Sequence, residues 1–164
     1  MQNNTQLTIY CDGACLGNPG EAGSGLAIFY NNAKEPILIY GKYIENGTNN
    51  IAELNALLRA LQIAYKNIDR YRNITVKTDS QYSIDSITKW AYGWEKNGWK
   101  RKKNREIKNL ELIKRVFKLY KYLKDRISIE YVKGHSGING NELADQMAKE
   151  AIKRKAKNFK TLER

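Results

Sequence analysis

Residues 73–82, NITVKTDSQY, constrain the fold more than any other stretch of the chain. Ile74, Val76 and Thr78 alternate with Thr75 and Lys77, and that period, with its β-branched content, marks a short strand. The alternation stops at Asp79, and from Ser80 the pattern turns helical. Asp79 therefore stands at the carboxyl end of a strand, just before a helix. In open α/β sheets that edge is where ligands bind. An aspartate so placed is more often a helix cap than a catalyst, so one such residue decides nothing. A second strand, residues 7–12, ends on the same residue type at Asp12, and two further acids, Glu53 and Asp145, fall on helical patterns.

The remaining elements follow in order. Residues 26–30 and 36–44 read as strands joined as a hairpin near Asn31 and Asn32. The run between Asp12 and Leu26, GACLGNPGEAGSG, reads as turn; it is not GxGxxG and no helix follows, which excludes a dinucleotide fingerprint. Ile51, Leu54, Leu58, Leu61 and Tyr65 predict a helix over 50–67. Asn50 and Glu53 have capping-box spacing, but Glu53 also lies on the margin of the buried stripe, from which it could reach the sheet edge. Further helices are predicted over 81–91, around 110–123 and over 142–156, with a strand at Ile127–Tyr131. Asp145 would then lie in a first helical turn, where the helix dipole favours an acid. The order βββαβ, helices, β, α predicts an α/β fold: a five-stranded mixed sheet, three strands antiparallel and two parallel, flanked by helices. One domain spanning 1–164 is expected, with a basic tail fraying from about residue 157.

The formal net charge of +12 favours a polyanionic partner, nucleic acid before membrane surface. The charge is concentrated. Trp90, Trp94 and Trp99 fall within ten residues, among Lys89, Lys96, Lys100, Arg101, Lys102, Lys103 and Arg105. The rings suit a stiff elbow between helices, and the cations suit a phosphate backbone, whose neutralisation releases counterions. No clean amphipathic face carries them, which speaks against a membrane-surface role. There is no transmembrane-length apolar run and no visible signal peptide. Cys11 and Cys15 are too close to staple a fold and, beside one histidine, make no zinc site. They read as thiols in a reducing compartment, and a cytoplasmic location is expected.

If Asp12, Glu53, Asp79 and Asp145 converge, charge becomes the problem. Two like charges about 4 Å apart repel by roughly 4 kcal/mol at an effective dielectric near 20. Four could not all ionise without a cation, and hard oxygen donors select Mg²⁺ or Mn²⁺ over zinc. Paired divalent ions suit in-line displacement at phosphorus.

The motifs YCDGACLGNPG (10–20), TNNIAEL (48–54), TDSQY (78–82), the tryptophan stretch and VKGHSGINGNELAD (132–145) occur in the order found in type 1 ribonucleases H. The chain resembles the stand-alone bacterial form of that family from about residue 7 to 152. The resemblance implies a ribonuclease H-like fold and an endonuclease that cuts the RNA strand of RNA–DNA hybrids, leaving 5′-phosphate and 3′-hydroxyl ends. It implies two Mg²⁺ ions, replaceable by Mn²⁺, on Asp12, Glu53, Asp79 and Asp145, with His135 assisting proton movement and product release. It places Gly13, Asn18, Asn49, Asn50 and Gln81 against the RNA strand. Discrimination there rests on the 2′-hydroxyl, for which Asn and Gln offer both donors and acceptors. Thr48 and Asn109 match a pocket for a phosphate of the DNA strand, and Trp90, Trp94, Trp99, Lys100, Arg101, Lys102 and Lys103 match the DNA-strand side. One departure stands out: many relatives have an arginine two residues before the threonine, where this chain has Asn46, so Lys42 or Lys108 would have to compensate. A monomer is expected. A binding module without catalysis and a related polynucleotidyl transferase are the competing readings.

Overall fold

A computed structural model describes residues 5–31, 33–101, 103 and 105–163. Asn32 of the expected hairpin and Lys102 of the basic stretch lie outside the described residues. The order is β1 (Gln6–Cys15), β2 (Gly20–Tyr30), β3 (Ile37–Gly47), α1 (Asn49–Lys66), β4 (Asn73–Thr78), α2 (Gln81–Asp85), a π-helical turn (Ser86–Trp90), α3 (Ala91–Lys96), α4 (Leu110–Leu123), β5 (Ile127–Tyr131), α5 (Asn139–Arg154) and β6 (Lys160–Thr161). The strands form one mixed sheet in the order β5-β4-β1-β2-β3-β6. β1–β2, β2–β3 and β3–β6 are antiparallel, whereas β1–β4 and β4–β5 are parallel. The five expected strands pair as expected, and β6 is an addition.

Alternation along the strands sorts side chains onto two faces. Ile9, Cys11, Leu26, Ile28 and Val76 meet Leu54, Leu57 and Leu61 of α1 and Ile113, Val116 and Phe117 of α4 in the main core. Burying each Leu or Ile contributes about 1.5–3 kcal/mol. On the other face Ala27, Leu38 and Tyr40 meet Met147 and Ala151 of α5.

Three of the departures from the sequence expectation have a packing reason. The glycine-rich run is mostly strand, because β1 and β2 stay paired from Leu7↔Tyr30 to Cys15↔Ala22. Its glycines admit a helix. A Cβ on Gly25 would lie 2.3 Å from Ala144 O and from Ala148 N, so α5 rests directly on that strand. α5 itself begins three residues before the expected Glu142, at Asn139. Finally, the tail is packed against the sheet as far as Leu162. Tyr43 N donates to Ala156 O, Thr161 pairs with Ile39, and the Arg59 guanidinium lies 5.2 Å from the Phe159 ring centre.

Candidate active site

The parallel ladder between β1 and β4 ends at Cys11↔Thr78. The next residue along the chain is an acid in each case, Asp12 within β1 and Asp79 just after β4. Asp12 is not the last residue of its strand, since pairing with β2 carries β1 on to Cys15. It is the first beyond the reach of β4. By alternation Tyr10 and Asp12 share the face covered by α5, and a Cβ on Gly140 of α5 would fall 2.2 Å from the Tyr10 ring. Glu53 arrives from the opposite face on α1. Its expected capping role belongs to Thr48, whose hydroxyl accepts from Ile51 N at 3.2 Å. Glu53 Oε1 instead accepts from Gly13 N at 2.9 Å, and the same N–H donates to Asp12 Oδ1 at 2.9 Å. Ser80, not Asp79, caps α2, accepting from Ser83 N at 3.1 Å.

Ligand oxygens of Asp12, Glu53 and Asp79 all lie within 4.8 Å of one another. Asp12 is 4% exposed. Burial, then the charges of Glu53, Asp79 and Asp145, push its carboxyl far above the usual range. Burial and then Asp79 raise Glu53 as well, opposed by hydrogen bonds with Asp12 and Gly13. Three acids crowded this way hold protons or a cation. The donors are all oxygen, the set that suits a hard divalent ion, so these residues fit the metal the sequence implied.

Asp145 lines the same cleft, of about 400 Å³, with His135, Gly134, Cys15, Asn49 and Lys149. It sits in the second turn of α5 rather than the first, and stands outside the group of three. Lys149, one turn on, holds its carboxylate at 3.0 Å. His135 takes φ 54°, uncommon for a residue with a Cβ, on the loop between β5 and α5. Reading the sequence missed Lys149 and Asn141, each four residues from Asp145. Asn141 is 3% exposed, and its Nδ2 lies 3.4 Å from Asp79 Oδ2.

The residues expected to touch nucleic acid fall in two places. Gly13 and Asn49 line the carboxylate cleft. Asn18 stands beside them, its Oδ1 accepting from Asn49 N at 2.8 Å. Gln81 is exposed, its Nε2 donating to Asp85 Oδ1 at 3.0 Å. Asn50 parts from this set and lines a second groove of about 1030 Å³, with Trp90, Trp94, Lys100, Arg101, Lys103 and Asn109. Lys108 and Arg105 also line it, whereas Lys42 does not. Trp90 and Trp94 lie 5.9 Å apart between ring centres. Trp99 packs edge-on against Phe117 at 5.9 Å and so anchors the segment on α4 instead of lining the groove. Thr48 is outside the groove as well, its hydroxyl engaged in the α1 cap.

The sequence profile of the RNase H family matches residues 4–153. The chain belongs to the RNase H family. Ribonuclease H of Maricaulis maris (strain MCS10) is 39% identical over 150 residues, 89% of this chain and 93% of that protein. Among solved structures, LC9-RNase H1, a type 1 RNase H with the type 2 active-site motif, superposes with a TM-score of 0.78 at 24% identity, over 98% of this chain and 78% of that one. LC11-RNase H1, solved in complex with an RNA/DNA hybrid, gives 0.64 at 24% identity, over 91% and 98%. At those identities the structures speak for the fold. The family and its curated members make the chain a ribonuclease H enzyme that hydrolyses the RNA strand of hybrids, and its acidic group could hold the divalent metal on which the family depends.

Proposed function

We propose that Asp12, Glu53, Asp79 and Asp145 hold two Mg²⁺ ions, replaceable by Mn²⁺, at which the RNA strand is cut to 5′-phosphate and 3′-hydroxyl ends. The observation that carries this reading is the convergence of three carboxylates within 4.8 Å on a ribonuclease H fold. Held by these carboxylates, divalent cations would supply activation of the attacking water and offset charge developing at the phosphate. The protein's own groups do the rest. Gly13 N–H fixes Asp12 and Glu53 together by donating to both. Lys149 pairs with Asp145 at 3.0 Å and offsets its charge. His135 enters the cleft from a loop, and an imidazole there suits moving a proton at the reacting oxygens.

The hybrid lies across two sites. The RNA strand meets the carboxylate cleft, where Gly13, Asn18 and Asn49 can address a 2′-hydroxyl. The DNA strand follows the basic groove, whose cations neutralise phosphates and whose Trp90 and Trp94 stiffen the wall. The complex of LC11-RNase H1 with a hybrid supports that partner. The protein acts as a monomer in the cytoplasm. No described helix is long and apolar enough to cross a membrane.

The test is an end-labelled RNA–DNA hybrid incubated with Mg²⁺ or with chelator, beside duplex RNA and duplex DNA. RNA-strand products with Mg²⁺ alone, and only from the hybrid, are expected. Cleavage in chelator would remove the metal assignment, and cleavage of duplex RNA would remove the specificity.

A further inference from the structure

Each carboxylate of the site has a neighbour that fixes it, and the one serving Asp79 is not part of the cleft surface. Gly13 N–H serves Asp12 and Glu53, and Lys149 serves Asp145. Among the described residues, the hydrogen-bond donor to the Asp79 side chain is Asn141 Nδ2, at 3.4 Å from Oδ2. The same oxygen is confined on another side by Gly134, where a Cβ would stand 2.7 Å from it. Ser80 N–H, the nearest donor along the chain, is turned to Thr78 Oγ1 at 3.1 Å and does not serve Asp79.

Asn141 is an odd residue to bury for stability. Its Oδ1 is enclosed and, among the described residues, has no hydrogen-bond partner. An enclosed acceptor left unpaired is destabilising, and an apolar side chain of similar shape would avoid that. The amide does one thing an apolar group cannot: it donates to a carboxylate. Its place gives that donation reach. Asn141 and Asp145 stand one helical turn apart on α5, so the contact joins Asp79, the residue that follows β4, to the helix that bears Asp145. Outer partners of this kind orient ligating carboxylates, and their loss weakens metal binding about 10–100-fold.

We propose that Asn141 is a positioning residue that sets the Asp79 carboxylate, relative to Asp145, for divalent cation binding. The inference rests on the metal site proposed above. Asn141→Leu keeps the approximate shape while removing the donor and the enclosed acceptor. Asn141→Ser leaves room for a water to take over the donation. Mg²⁺ binding to each protein without substrate is measured by calorimetry, and melting temperature is measured in chelator. For Asn141→Leu the expected result is a Mg²⁺ dissociation constant raised at least about tenfold, with a melting temperature in chelator equal to or above wild type. For Asn141→Ser the expected rise is smaller. Wild-type Mg²⁺ affinity in both variants would overturn the inference, as would a loss of melting temperature in chelator with affinity unchanged. If Asn141→Leu does not fold, the Asn141→Ser titration decides alone. A wild-type protein that binds no Mg²⁺ would instead overturn the metal site itself, which separates the two failures.

Discussion

Asp12 carries the site's electrostatic tension, because it is enclosed and faces three other acids. Without metal its raised carboxyl keeps a proton in the folded protein that the unfolded chain releases near the ordinary value of 3.8. The sign follows: above that value the folded state binds more protons than the unfolded state, so stability falls as pH rises toward the folded value. Glu53, raised from 4.5, acts in the same direction. In chelator the melting temperature should fall between about pH 5 and about pH 8, and Mg²⁺ should flatten that slope. Asp12→Asn should flatten it too, raise the metal-free melting temperature near neutrality and abolish cleavage while hybrid binding remains. Calorimetric melts across pH, beside a cleavage assay and a binding titration, check all of these. Asp79 is legible in the sequence because the alternation of β4 breaks there, and Asp12 because an acid follows the apolar alternation of residues 7–11, although its strand runs on to Cys15. Asn141 and Lys149 are not, because their importance comes from a helix register that the glycines and asparagines of 137–141 disguise as loop. Gly140 is helical and is glycine because Tyr10 occupies the space of its side chain.

At the scale of elements, the glycine-rich run misleads because glycine marks both a turn and a close approach. Here most of it is close approach. Gly25→Ala should force α5 away from β2 and cost about 1–3 kcal/mol, measured by denaturant unfolding. Wild-type stability would mean that the helix yields freely. The tail misleads for a different reason: two residues of strand leave no periodicity to detect, and Phe159 docks on Arg59, a residue distant in sequence. The segment after α2 is legible in composition but not in division of labour. Trp99 braces the projection against Phe117 while Lys100, Arg101 and Lys103 line the groove. Replacing those three cations by alanine should weaken hybrid binding and reduce the slope of log affinity against log salt by about 1 for each phosphate that is no longer neutralised. An unchanged slope, measured by titration at several salt concentrations, would mean that the groove does not meet phosphate.

For the whole molecule, the net charge of +12 and an acidic cluster at the sheet edge are two parts of one arrangement. A basic surface gathers a polyanion and raises its rate of encounter, and the proposed cations would make the acidic cleft compatible with a phosphate. The sheet order explains how acids far apart in sequence meet. β1 lies between β4 and β2, so Asp12 and Asp79 emerge side by side where their ladder ends, and α1 and α5 approach that end from opposite faces. Asp12 of β1, Glu53 of α1 and Asp79, the residue after β4, converge on one centre for divalent cations. Diffraction from crystals soaked in Mn²⁺, recorded at the manganese absorption edge, tests this most directly. The expected result is an anomalous peak within bonding distance of Asp12, Glu53 and Asp79. A well-ordered cleft with no peak between these carboxylates, or manganese held only elsewhere on the surface, would contradict it.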